Sequence, residues 1–263
     1  ITLVGKDYAT DALIVKYNAI GEVQWARGLG GYINSEDINS IIVTEGERYI
    51  VGGRFYNSSS EKMDLGNGVA LIGEGNYDGM IVALEEKAIS NPKVLQTKRI
   101  GGDFNDRITT VANTDDGGYI VGGYFRSSSI DLGNGINLTN SSKKTYYSGS
   151  HTDGMIIKYD SNEEIEWTKV VGNYVCNILS IIQCEDKGYL VGGYYDGNLD
   201  LGNDISLTSS GDKNGMLIKY NQNGEAEWAK AISGDKENVI SSIVECSDGS
   251  YLVGGYFNSS SID

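Results

Sequence analysis

Few side chains in this sequence could do chemistry, and they are unevenly placed. The only histidine, His151, stands in the polar stretch "YYSGSHTDG" with no second imidazole to form an acid–base or metal pair. No Cys/His ligand spacing occurs, and no Gly-rich phosphate loop precedes a helix-like segment. The candidates are instead aromatic rings set beside carboxylates: Tyr32, Asp37, Asp103, Phe104, Asp106, Tyr174, Asp235 and Glu237, joined by Tyr146, Tyr147 and His151 from one polar stretch. Such faces stack on sugar rings while carboxylates and amides bind hydroxyls, so a glycan or a protein surface is the expected ligand. No catalytic residue is assigned.

The turns "NTDDGG", "CSDGS" and "YDSNEE" offer oxygen ligands for Ca²⁺, but none has the twelve-residue EF-hand spacing, so no cofactor is expected, with Ca²⁺ the alternative. A recurring aspartate, at Asp64, Asp131, Asp200 and Asp263, is expected to cap turns through its side chain. The net charge of −15 disfavours nucleic acid, whose phosphates it would repel. No apolar run approaches the roughly 20 residues of a membrane-spanning helix, and no membrane insertion is expected. Four Asn-x-Ser/Thr sequons, at Asn57, Asn137, Asn140 and Asn258, read as Ser-rich turns. With no initiating Met or signal peptide, the chain is expected to be a processed or excised piece.

Repeats must position these residues. Tyr-(Ile/Leu)-Val-Gly-Gly begins at Tyr49, Tyr119, Tyr189 and Tyr251, at spacings of 70, 70 and 62 residues. A second marker begins at Asp11, Asp78, Asp153 and Asn214. A third is Trp25, Trp167 and Trp228, with Gln96 in its place in one copy. Each repeat reads as four strands, a to d, exemplified by "NILSIIQCE", "YLVGGYY", "DGMIIKYD" and "EIEWTKVV". Strands a, b and c are apolar on both alternations and should be covered on both faces, whereas d alternates and should be half-exposed. The Gly-Gly pair in strand b is expected where neighbouring sheets approach closely. "DLGNG" and "DLGND" between b and c predict an extra hairpin. Cys184 and Cys246 occupy the place of Thr44 and Thr114, Cys176 is read as a loop residue, and all three are expected to be free thiols.

Sheets buried on both faces and repeated in series predict an all-β fold, a four-bladed β-propeller with four-stranded antiparallel blades plus b–c hairpins. The blades are read as 37–100, 107–171, 176–232, and 238–263 together with 1–29, one domain over 1–263. The terminal segments would close the ring by pairing in one blade, with "SSSID" and "ITLV" as the two arms of its b–c hairpin.

The order "DAL-IVKYN…GEVQWAR…GG…GERYIVGG" resembles the secreted bacterial β-propeller repeat proteins, through Asp11, Trp25, Gly30, Gly31, Tyr49, Gly52 and their repeats. The resemblance implies an extracellular or cell-surface location, a role in binding or display, and no shared catalytic residues. Departures are Gln96, the c–d turn "EEKAISNPK" and the insert "KKTYYSGSH". A binding or adhesion module is therefore the leading reading. A structural subunit that self-assembles through complementary termini is the alternative, and a hydrolase or lyase using loop carboxylates the third.

Overall fold

The computed structural model describes residues 10–30, 35–44, 46–56, 62–66, 68–74, 76–86, 92–141, 151–172, 174–209 and 212–263. They form antiparallel β-structure, with no helix among the described residues. Two compact units divide between Ile108 and Thr109.

In the first unit β1 (Ala12–Tyr17) pairs with β2 (Val23–Leu29) as a two-stranded sheet. Then β3 (Glu36–Thr44), β4 (Arg48–Tyr56), β5 (Met63–Gly66), β6 (Val69–Leu71), β7 (Tyr77–Glu85) and β8 (Lys93–Ile100) follow, giving a sheet of order β3-β4-β7-β8 and a β5-β6 hairpin. The division falls within β9 (Asp106–Asn113). The second unit continues with β10 (Tyr119–Phe125), β11 (Ser129–Asp131), β12 (Asn137–Thr139), β13 (Asp153–Tyr159) and β14 (Ile165–Val171), in a sheet of order β14-β13-β10-β9 with a β11-β12 hairpin. Next come β15 (Val175–Gln183), β16 (Tyr189–Asp196), β17 (Leu199–Asp200), β18 (Ser206–Leu207), β19 (Asn214–Tyr220) and β20 (Ala226–Ile232), a sheet of order β15-β16-β19-β20 with a β17-β18 hairpin. The last pair, β21 (Asn238–Glu245) and β22 (Tyr251–Phe257), is again two-stranded. Three sheets thus have the expected a-b-c-d order, and two half-sheets hold the terminal strands.

The hairpins form where Asn-Gly or Asn-Asp allows left-handed backbone. Asn134 has φ 52°, and Asn203 and Asp204 have 53° and 59°. The expected caps are present: Asp64, Asp131 and Asp200 accept the Gly66, Gly133 and Gly202 N–H groups at 2.8, 2.8 and 3.0 Å. Asp263 instead sits in a chain terminus whose backbone exchanges two 3.0 Å bonds with Ser233. The opposite arm, residues 1–4, lies outside the described residues.

The Gly-Gly pair meets two different constraints. Strand a carries a β-bulge: Ile178 pairs with Gly193 but Ser180 with Gly192, leaving Leu179 extra, and Asn39 and Ser241 are left extra in the same way. The bulge drives backbone onto the second glycine, where a Cβ on Gly53, Gly193 or Gly255 would lie 2.1, 2.0 or 1.9 Å from a carbonyl oxygen of its own sheet. The first glycine faces the neighbouring sheet, and a Cβ on Gly192 would meet Ile243 at 2.6 Å. The bulge residue also ties repeats together. The Asn39 amide donates to the Ile108 carbonyl at 2.9 Å, and the Thr109 hydroxyl to the Ile178 carbonyl at 2.5 Å.

Aromatic pairs make the same link. Trp25, Trp167 and Trp228 meet Tyr49, Tyr189 and Tyr251 of the next repeat at 5.7, 5.5 and 6.1 Å between centroids. In the sheet whose preceding repeat carries Gln96, Tyr119 stacks on Tyr159 of its own sheet at 4.8 Å. Strand-c lysines are held inside: Lys158 is 1 % exposed, between Asp116 at 2.7 Å and Glu166 at 2.8 Å.

Two expectations need correction. Strands b and c are buried on both faces in the three complete sheets, and strand a exposes no apolar residue in β9 or β15, but in β3 it does: Ile41 and Val43 are 45 % and 55 % exposed. Apolar alternation cannot distinguish a strand between two sheets from one at a sheet edge. Cys176 is fully buried in β15 rather than in a loop, its Sγ 3.7 Å from Met216 Sδ, at the repeat position of Glu36, Asp106 and Asn238. It and Cys184 and Cys246 are free thiols.

Candidate functional site

Within each sheet, antiparallel pairing puts the start of strand a, the end of strand b and the start of strand c at one end. Val175 is opposite Asp196, and Tyr195 opposite Asn214. Polar and aromatic side chains gather there in both units.

In the first unit Asp37 of β3 lies between two guanidiniums. Arg54 Nε is 2.7 Å from its Oδ2 and Arg107 Nη2 is 3.0 Å from its Oδ1. Arg107 also donates to the Asn39 side-chain carbonyl at 2.6 Å, and the Asn39 amide returns to Asp37 at 3.2 Å. The Arg54 guanidinium sits 4.3 Å over the Tyr77 ring, which meets Tyr56 edge-on at 5.3 Å. Among the described residues, Arg54 and Arg107 thus share the Asp37 carboxylate. The cluster's outward character is a stacked Arg–Tyr platform rather than a nucleophile.

In the second unit the network is almost neutral. The Thr152 hydroxyl donates to Asn177 Oδ1 at 2.7 Å, and the Asn177 amide to the Tyr194 hydroxyl at 2.5 Å. Lys213 Nζ is 5.0 Å from the Tyr194 ring centre and 2.9 Å from Glu237, which also accepts from the Tyr256 hydroxyl at 3.0 Å. Tyr174, 44 % exposed, meets His151 edge-on at 4.3 Å. The Lys213 bond holds the Glu237 carboxyl below its usual range and Lys213 above its own. Burial pushes the Tyr194 phenol up. At neutral pH the cluster therefore presents fixed hydroxyls, an amide and an internal ion pair, with no carboxylic acid poised to give up a proton.

Of the residues singled out from the sequence, Asp37, Tyr174, Glu237 and His151 lie within the clusters. Asp103 is exposed and Phe104 half-buried in the bend before β9. Asp106 corrects the expectation of an open ligand group: it is 1 % exposed and accepts the Gly102 N–H at 2.9 Å, so it shapes its loop. Asp235 is exposed and caps Ser260, accepting its N–H at 2.9 Å and its hydroxyl at 3.2 Å. Tyr32, Tyr146 and Tyr147 lie outside the described residues. Among the described residues no group of three or more His, Cys, Asp or Glu side chains gathers to hold a metal.

Sequence reasoning missed Arg54, Arg107, Asn177, Tyr194, Lys213 and Tyr256. A signal existed. The residue after each Gly-Gly is Arg54, Tyr124, Tyr194 or Tyr256, large and polar where a buried strand would favour apolar residues.

No family model matches the chain. A stretch of 102 residues is 29% identical to the regulatory protein FlaEY of Caulobacter vibrioides, covering 39% of this chain and 10% of that protein. The chain thus matches about a tenth of the length of this relative.

Proposed function

We propose that the chain is an extracellular or cell-surface binding module that presents the strand-a/strand-b end of its sheets to a glycan or protein ligand. The observation that carries this reading is the Tyr174–Asn177–Tyr194–Lys213–Glu237–Tyr256 cluster, whose rings and fixed donors suit a neutral, hydroxyl-rich surface. This reading requires neither a cofactor nor catalysis, and the cluster carboxylates Asp37 and Glu237 are engaged with arginine and lysine. A hydrolase or lyase would need a free acid–base pair. A glycan array probed with the protein and with Lys213→Ala and Asn177→Ala tests the reading. Binding that falls at least tenfold in both variants, with unchanged melting, supports it. No bound glycan, and no protein partner captured from a cell surface, defeats it.

The architecture that goes with this function is a four-bladed propeller in which β1-β2 and β21-β22 complete one four-stranded blade. Its support is register. β1-β2 pairs Lys16 with Trp25 and then shifts, as Lys158–Trp167 and Lys219–Trp228 do in the complete sheets. β21-β22 repeats the strand-a bulge. The second reading, a subunit that assembles through its ends, is favoured by the exposure of Leu252, Tyr256 and Phe257 on β22 at 64 %, 51 % and 58 %.

A further inference from the structure

The polar contacts of the second unit run in one line across two neighbouring sheets, β15-β16-β19-β20 and β21-β22, and their pattern leaves particular positions unfilled. The Thr152 hydroxyl engages Asn177 Oδ1, so the Asn177 amide is aimed at the Tyr194 oxygen and the Tyr194 proton is left for another acceptor. Lys213 Nζ and the Tyr256 hydroxyl, at 2.9 and 3.0 Å, both bond the same Glu237 oxygen, Oε1. Among the described residues, Glu237 Oε2 accepts no bond, and Lys213 spends one ammonium proton on a side chain. Two donors and one acceptor, on Tyr194, Lys213 and Glu237, therefore stand together. A hydroxyl both donates and accepts, so two adjacent hydroxyls of one sugar ring satisfy all three groups. A carboxylate or phosphate would instead face the Glu237 oxygen. Rings flank this polar centre. Tyr174, 44 % exposed, leads into β15, and Tyr256 stands near the end of β22. A strand c alongside does not close off the Tyr256 position: its counterparts Tyr124 and Tyr194 stay half-buried although β13 and β19 pair with their strands.

We propose that this line takes a neutral oligosaccharide laid across the two sheets, a pair of adjacent hydroxyls held by Tyr194, Lys213 and Glu237, and flanking sugar rings stacked on Tyr174 and Tyr256. This rests on the binding-module reading and names its ligand. The sheets are in contact, since a Cβ on Gly192 would meet Ile243 at 2.6 Å. Packed sheets lie about 10 Å apart, so a ligand touching rings on both is longer than a single sugar. Lys213 sits over the Tyr194 ring at 5.0 Å, which leaves Tyr174 and Tyr256 as the stacking surfaces. A glycan fits better than a protein because the centre of the line is made of hydroxyl, amide and ion pair, where a protein interface would place its apolar core.

The test is calorimetric titration of the full chain with gluco-, manno- and xylo-oligosaccharides, from the single sugar to the hexasaccharide, and with oligogalacturonates as the charged comparison. In at least one neutral series the hexasaccharide is expected to bind about tenfold tighter than the single sugar, and the oligogalacturonates about tenfold weaker than neutral chains of equal length. Tyr174→Ala, a change at an exposed ring, should abolish the gain with length and leave melting and single-sugar binding unchanged. Glu237→Gln should weaken every length about tenfold, while Tyr256→Phe, which keeps the ring, should retain the gain. Affinity that does not change with length, or a Tyr174→Ala loss equal at all lengths, would overturn the two-sheet ligand and keep the binding module. Oligogalacturonates binding as tightly as neutral chains would overturn the neutral class. No saccharide bound, but a cell-surface protein captured, would overturn the glycan alone. Neither bound would overturn this inference and the binding-module reading together.

Discussion

Phe125 and Phe257 occupy the same place in two copies of "YFxSSSID", yet Phe125 is fully buried and Phe257 is 58 % exposed. Truncating each to alanine separates local sequence from environment. For Phe125→Ala the loss combines transfer and cavity terms, about 3–5 kcal/mol for a buried phenylalanine. For Phe257→Ala only about two-fifths of the surface is covered. Against the roughly 1.5–3 kcal/mol of full burial this leaves about 1 kcal/mol, with little cavity. At about 2–4 °C per kcal/mol for a chain of this size, Phe125→Ala should lower the melting temperature by about 6–20 °C and Phe257→Ala by about 2–4 °C. The assay is thermal unfolding followed by circular dichroism at low protein concentration, where any association through β22 is minimal. Equal losses would refute the reasoning, because they would mean that Phe257 is covered in the dilute chain. If the Phe257→Ala loss grows with concentration in step with sedimentation, covering comes from other copies.

Gly224 has φ 74°, and an added Cβ would come within 2.9 Å of the Trp167 ring, so Gly224→Ala should destabilise by more than about 1 kcal/mol in urea unfolding, while Gly133→Ala, strained in φ but open around its Cβ, should cost less. The Glu86 carboxyl is held below its usual range by hydrogen bonds from Lys16 and then Tyr49. Its stabilisation is present above the ordinary carboxylate pKa of about 4.3 and lost as pH falls through the lower folded value, so Glu86→Gln should flatten the acid limb of a stability–pH profile. Burial pushes the Cys184 thiol up to about 11 and raises Cys176 further, so a thiol reagent at neutral pH should modify Cys246 first and the other two only on unfolding.

Much of the fold was legible because its causes are short-ranged. The four strands of each repeat, the Asn-Gly hairpins and the Asp64, Asp131 and Asp200 caps depend on residues within a few positions of one another. The repeat spacing then placed equivalent strands without further information. The candidate site was legible only in part. Asp37, Tyr174, Glu237 and His151 were singled out, but the partners Arg107 and Lys213 come from other strands and loops, and Arg54 and Tyr194 are hidden inside strands that read as core.

Sequence alone determined the alphabet of this protein: which segments are strands, where they turn, and that one unit recurs. Those follow from side-chain period and from backbone conformations that only Gly, Asn or Asp adopt readily. Tertiary structure decided which chemically similar copies differ in environment. Asp106 and Asp37 are both loop-end aspartates, but one is sealed under a backbone N–H and the other lies between two arginines. Leu190 and Leu252 are the same residue in the same motif, yet one is fully buried and the other 64 % exposed. Burial depends on what packs from tens of residues away, which no local pattern carries.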